Sequence, residues 1–252
     1  VLWWEDSGMH AAFVLATAHA LLRDRRLGRA VPGRGAPQPH LADFDAVERH
    51  SLLELEPPAH TRLRRLVLHA FTSRRIAALD ADIREICATL LSDLPDTPFD
   101  LIPAYCQQVP VRVIARLLGV PEAMGPDLLR WSAAMVAMYQ AGRTRAIEDA
   151  ANSAAAEFAT FLRGYIDERR NDPRDDLITR LIAAEDGGET LSHDEMIGTC
   201  VLLLNAGHEA TVHSLGNAVK CLIEHGQAHA LGPAHIAATV EELWRYDPPL
   251  HM

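Results

Sequence analysis

Six residues inside an apolar run, Ala206-Gly207-His208-Glu209-Ala210-Thr211, carry the densest chemistry in the chain. Cys200-Val201-Leu202-Leu203-Leu204 precedes them, and Val212-His213-Ser214-Leu215-Gly216 continues in helical register. A helix that is apolar on every side belongs inside a protein. A glycine there costs about 1 kcal/mol relative to alanine, and a carboxylate costs more unless it is paired or hydrated. Both on one core helix predict that something flat or reactive lies against that face.

Two further clusters offer charge. Glu56-Pro57-Pro58-Ala59-His60-Thr61-Arg62-Leu63-Arg64-Arg65 places His60 and Arg64 four apart, on one face of a helix. An imidazole and a guanidinium side by side suit a carboxylate or a phosphate. Taken alone, basic residues on an amphipathic helix are more often simply solvated. Val240-Glu241-Glu242-Leu243-Trp244-Arg245-Tyr246 sets Glu242 and Arg245 three apart, an ion-pair spacing that says little by itself. His208, Glu209 and His213 bring a zinc protease to mind, but that motif needs two histidines four apart. Here they are five apart, about 140° out of line on a helix.

The elements that must hold these groups read as mostly helical. Met9 to Ala16 is a possible strand, Thr17 to Asp24 a short helix, and the Gly- and Pro-containing stretch from Arg29 to His40 a loop. A helix is expected from Pro57-Pro58 to about Phe71. Thr72 or Ser73 caps the next, with an apolar stripe at Ile76, Leu79, Ile83, Ile86 and Leu90. Ile102 to Leu118 reads as a buried helix ending at Gly119-Val120-Pro121. Pro126 to Tyr139 and Arg145 to Arg170 follow as amphipathic helices, and a short one opens at Asp172-Pro173 and Asp175 and runs through Ala184. Asp186-Gly187-Gly188 is a turn. Ser192-His193-Asp194-Glu195 is a capping box that starts a helix reaching Ile223, on the order of 45–50 Å long. Ala234 to Tyr246 is the last helix, stopped at Asp247-Pro248-Pro249. No βαβ alternation and no glycine-rich phosphate loop appear.

Composition narrows the function classes. The chain has 252 residues with a net charge of -10, which argues against a nucleic-acid surface. No apolar stretch reaches the roughly 18–20 residues of a membrane span, and no signal-peptide pattern opens the sequence. Cys87, Cys106, Cys200 and Cys221 show no Cys-x-x-Cys spacing and read as small buried hydrophobes of a reducing cytoplasm.

In this order, Glu56-Pro57-Pro58-Ala59-His60-Thr61-Arg62-Leu63-Arg64, Ala206-Gly207-His208-Glu209 and Glu242-Leu243-Trp244-Arg245 resemble the bacterial cytochrome P-450 family of haem-thiolate monooxygenases. Leu117-Leu118-Gly119-Val120-Pro121 and Asp175-Asp176-Leu177-Ile178 add weaker support. The resemblance implies a mainly α, incomplete P-450 fold, with minor β structure and a long central helix crossing one domain over residues 1–252. It implies haem b held at its propionates by His60 and Arg64. It implies a distal face at Ala206 and Gly207, where the backbone approaches the porphyrin under a kinked mid-helix. Glu209 takes the place of the family's oxygen-activating acid, and Glu242 with Arg245 that of its structural ion pair. Val67, Leu68 and Phe71 face the haem edge or, more simply, pack the core. Met135, Val136, Met138 and Tyr139 contact a small hydrophobic substrate or pack a helix pair. A ferredoxin-type donor is implied as electron partner, met by a basic patch of Arg62, Arg65, Arg74 and Arg75. Neither a nucleic-acid nor a membrane partner is implied.

Two departures qualify this picture. Ala210 stands where the family usually has a threonine, and Thr211 lies about 100° further round the helix. Proton delivery is therefore expected to use a substrate hydroxyl and water, or to leak peroxide. The family's glycine-rich cysteine-ligand loop is also not found before Met252, seven residues past Arg245. The chain therefore reads as a central fragment, lacking leading elements and the axial cysteine and inactive alone. The alternative is a haem-free scaffold of the same fold that binds and activates another enzyme.

Overall fold

A computed structural model describes residues 1–24, 26–28, 38–71, 73–140 and 142–249, with no account of the side chains at 7 and 73–75. The proposed cap at Thr72, most of the loop from Arg29, and the side chains of Ser73, Arg74 and Arg75 lie outside the described residues.

The chain opens with a small antiparallel hairpin, β1 (Leu2–Trp4) paired with β2 (Met9–Ala11), followed by α1 (Leu15–Leu22). The strand expected over Met9 to Ala16 is thus shorter, and the helix starts two residues before Thr17. Then come α2 (Ala42–Glu48), α3 (Ala59–Ala70), α4 (Ser73–Ser92), α5 (Gln108–Leu118), α6 (Gly125–Val136), α7 (Arg145–Asn171) and α8 (Leu177–Ala183). A second hairpin, β3 (Glu185–Asp186) with β4 (Glu189–Thr190), turns on Gly187 and Gly188, both at positive φ, which glycine adopts without steric penalty. Two long elements close the order, α9 (His193–Glu224) and α10 (Ile236–Tyr246). The mainly α class with minor β is as the motifs imply.

Several boundaries differ from the sequence expectations for local reasons. α3 begins at Ala59, after both prolines. Ile102–Cys106 forms a π-helical turn ahead of α5, so the expected single helix is two pieces. α8 begins after Asp176 rather than at Asp172 or Asp175, because the Asp176 carboxylate accepts from the Thr179 backbone N–H at 2.8 Å and caps the helix there. On α4 the stripe is only partly used: Ile86 and Leu90 are buried, whereas Ile76 and Ile83 stay exposed.

The main core joins α2, α3 and α5 to α9, with Leu63, Leu66, Leu118, Leu128, Phe158, Leu162, Ile166, Leu177 and Cys200 fully enclosed. Beneath it sits a buried ion pair. Arg169 donates to Asp176 at 2.6 Å and to the Gly119 carbonyl at 3.0 Å, and Tyr165 donates to the same carbonyl at 2.5 Å. Gly119 has φ +84°, and a Cβ there would collide with Asp176. This knot ties α5, α7 and α8 beside α9. No helix among the described residues is long and apolar enough to cross a membrane.

Candidate functional site

α9 is the site's backbone. The capping box forms as expected: the Ser192 hydroxyl accepts from Glu195 N at 3.2 Å, and Glu195 Oε2 accepts from Ser192 N at 2.8 Å. The helix then runs unbroken for 32 residues, one beyond the expected Ile223, so the expected kink is not a break. Met196 to Val201 is buried on all sides, but further along only Leu204, Asn205, His208, Val212 and Leu222 remain buried, on one face. The opposite face holds Leu203, Ala206, Gly207, Ala210, Thr211 and Ser214, all exposed or half-exposed. The all-round burial expected at 206–211 is therefore absent. In its place is an open face paved mainly with small residues, against which a flat group can lie. The Cβ direction of Gly207 points at Ile114, where an added carbon would stand 3.0 Å from Cδ1. Gly207 thus admits α5 on one side, while its backbone stays exposed on the other.

The polar groups of α9 divide between the two faces. Glu209 is half-exposed at the margin, 3.9 Å from His213 Nε2, so it does not bear the burial cost expected of a core carboxylate. The Thr211 hydroxyl donates to the Gly207 carbonyl at 2.9 Å, and Ser214 to the Ala210 carbonyl at 2.7 Å. Thr211 therefore directs its proton at its own helix and does not replace the hydroxyl missing at Ala210. His208 is buried with Nε2 unpartnered, and burial pushes its pKa down to about 4.

α3 presents three faces. Leu63, Leu66, Val67 and Ala70 enter the core. Arg62 pairs with Glu195, and Arg65 pairs with Asp186 and lies 3.7 Å from Glu189. His69 sits on this same side, with Nδ1 3.2 Å from the Glu185 carbonyl. The face left over carries His60, Arg64 and Leu68. His60 is half-buried and Arg64 exposed, and neither side chain has a hydrogen bond or ion pair to a described residue. The fork thus exists as spaced, with its donors free. Of the apolar neighbours, Val67 is core, Phe71 packs against the core, and Leu68 is exposed. Of the expected basic patch, Arg62 and Arg65 pair with acids of this chain, and the side chains of Arg74 and Arg75 lie outside the described residues.

Glu242 and Arg245 form a two-pronged pair, both contacts 2.7 Å, on the exposed surface of α10. Each holds the other charged: the carboxyl lies below, and the guanidinium above, its usual range. Met135 and Met138 are buried in the main core, so they pack helices. The Tyr139 hydroxyl donates to Glu48 at 3.1 Å. A cleft of about 300 Å³ lies elsewhere, where α2 and α7 meet the first turns of α9, lined by Arg49, His50, Arg163 and Asp194 among others.

The donor set of His60 and Arg64 fits the two carboxylates of a porphyrin, and the small-residue face of α9 fits its plane. All four cysteines are free thiols, but the burial expected of all four holds only for Cys106 and Cys200, where it pushes the thiol pKa up, to about 12 at Cys200; Cys87 and Cys221 are half-buried. Among the described residues no three His, Cys, Asp or Glu side chains converge to hold a metal ion.

Sequence reasoning missed the partner of Glu195, since Arg62 lies 133 residues away, and no local spacing reports such a pair. It also missed the Arg169–Asp176 knot, although the three-residue step from Asp176 to Thr179 is a helix-cap signal that could have revealed half of it.

No family model matches the chain. Curated relatives do. It is 38% identical over 219 residues to the vitamin D(3) 25-hydroxylase of Pseudonocardia autotrophica, covering 85% of this chain and 53% of that protein. It is 34% identical over 263 residues to the erythromycin C-12 hydroxylase of Saccharopolyspora erythraea, covering 98% and 62%. Among solved structures, P450BioI in complex with hexadec-9Z-enoic acid ligated acyl carrier protein superposes with a TM-score of 0.83 at 30% identity, covering 92% of this chain and 60% of that one. The cytochrome P450 PksS of Bacillus subtilis 168 gives 0.78 at 32% identity, covering 92% and 58%. The chain therefore spans between half and two thirds of the length of these relatives.

Proposed function

The chain belongs to the bacterial cytochrome P450 family, whose cofactor is haem, and from that premise we propose that the protein is a haem-dependent monooxygenase. It inserts one atom of dioxygen into a hydrophobic organic molecule, using electrons from a ferredoxin-type donor in the cytoplasm, with residues 1–252 contributing to one domain. When bound, haem supplies the oxygen-activating iron.

The observation that carries this reading is the pair of unpartnered donors His60 and Arg64 on the one face of α3 left uncovered. Their N–H groups would hold the porphyrin carboxylates, the arginine offering a forked donor. Ala206, Gly207 and Ala210 leave room for a flat ring and a small ligand. Glu209, hydrated at the margin and near His213, takes protons from solvent and passes them through water toward that face. Because Ala210 has no hydroxyl and Thr211 donates to Gly207, the last donor is water or a hydroxyl on the substrate. Glu242 and Arg245 brace α10.

The test is optical. Reduction under carbon monoxide gives the red-shifted Soret band of thiolate-ligated haem in the whole protein. His60→Ala and Arg64→Ala each lower haem retention by about tenfold, the loss of roughly one charged hydrogen bond. Residues 1–252 by themselves give no thiolate-type band and no turnover, because they contain no glycine-rich cysteine-ligand loop. A whole protein that takes up no haem supports the scaffold reading instead.

A further inference from the structure

The buried stripe of Leu63, Leu66, Val67 and Ala70 turns one face of α3 to the core and so sets its rotation coarsely. The polar contacts on its other side refine the angle at which His60 and Arg64 point. Arg62 lies about 160° round the axis from each of them, diametrically opposite the fork. Its guanidinium meets Glu195 Oε1 and reaches the Thr190 carbonyl at 3.4 Å. Glu195 is held from the other side, since its Oε2 accepts the Ser192 N–H that closes the capping box of α9. One carboxylate therefore grips both helices, with one oxygen for each. Arg65 adds a second clamp on the same side, through Asp186.

We propose that Glu195 is a positioning residue for the anion clasp. By fastening Arg62 to the first turn of α9, it refines the rotation of α3 so that His60 and Arg64 would meet the carboxylates of a bound haem. This inference rests on the reading that His60 and Arg64 bind the haem carboxylates.

Glu195→Gln separates the two grips. A glutamine amide oxygen still accepts from Ser192 N, so the cap survives, but the charge opposite Arg62 is gone. Two measurements on the haem-loaded protein read the result: haem loss to excess apomyoglobin, and the propionate-bending bands of the resonance Raman spectrum. Glu195→Gln and Arg62→Ala each speed haem loss by about 3- to 10-fold and shift the propionate bands in the direction seen for Arg64→Ala. The double variant is no worse than either single one, and Arg62→Lys recovers most of the effect. A core variant of matched thermal stability, Leu162→Val, leaves the bands in place. If Glu195→Gln and Arg62→Ala leave bands and loss rate unchanged while Arg64→Ala moves them, the positioning role is wrong and the clasp stands. If His60→Ala and Arg64→Ala also move nothing, the clasp itself is wrong. Should Glu195→Gln not fold, Arg62→Ala and Arg62→Lys carry the same comparison.

Discussion

At Ala210 one methyl group stands on the open face of α9 where the family's usual side chain would offer a hydroxyl. The neighbouring hydroxyl of Thr211 is turned back onto the Gly207 carbonyl. Ala210→Thr is therefore expected to raise the share of electrons recovered as product rather than peroxide, whereas Thr211→Ala leaves it unchanged; product and peroxide assays per electron consumed check both. His208, two residues earlier on the buried face, makes a statement about pH. Burial first, and the nearby His213 second, lower its pKa from 6.5 to about 4. The unfolded ring takes a proton below about 6.5 and the folded ring does not, so stability is complete above that pH. It falls as pH drops toward 4, by at most about 3 kcal/mol. Urea unfolding at pH 7 and pH 4.5 is expected to show a larger loss for the parent than for His208→Leu. The sequence announced the Ala210 departure, because the motif around it is contiguous. It did not announce which face of the helix Glu209 and His208 would occupy, because an apolar run has no polar stripe to orient it.

Elements are joined here by a few polar knots. Asp176 caps α8, receives Arg169, and leaves no room for any residue but glycine at 119. Removing one partner of a buried pair strands the other charge, so Asp176→Ala is expected to lower the unfolding free energy by about 3–5 kcal/mol. Asp176→Asn, which keeps an acceptor for Thr179 N, costs less; denaturant titration of both separates cap from charge. The helices themselves were largely legible, because periodicity and caps are local signals. The Ser192 box and the stop at Gly119 appear where the sequence puts them. The π-turn at Ile102–Cys106 and the late start of α8 were not legible, since each is settled by what packs against it.

Across the whole molecule, apolar exposure is concentrated toward the two ends of the chain. Trp3, Met9, Phe13, Val14, Leu15 and Leu22 are exposed in the opening hairpin and α1, and Ile223, Trp244 and Tyr246 in α9 and α10. Large apolar patches drive association. Residues 1–252 by themselves are therefore expected to self-associate in light scattering as concentration rises, and Trp3→Ser with Phe13→Ser to reduce this without changing helix content. The net charge of -10 opposes association.

The sequence by itself determined the family, the run of helices, the spacing of His60 and Arg64, and the capping box, because each is written within a few consecutive residues. Only the tertiary structure decided which cations are free. Arg62 and Arg65 look identical to Arg64 in the sequence, yet acids more than a hundred residues away engage the first two and leave the third open. A charge acquires its role from what meets it in space, and that meeting is set by how α3 lies between the hairpin and α9.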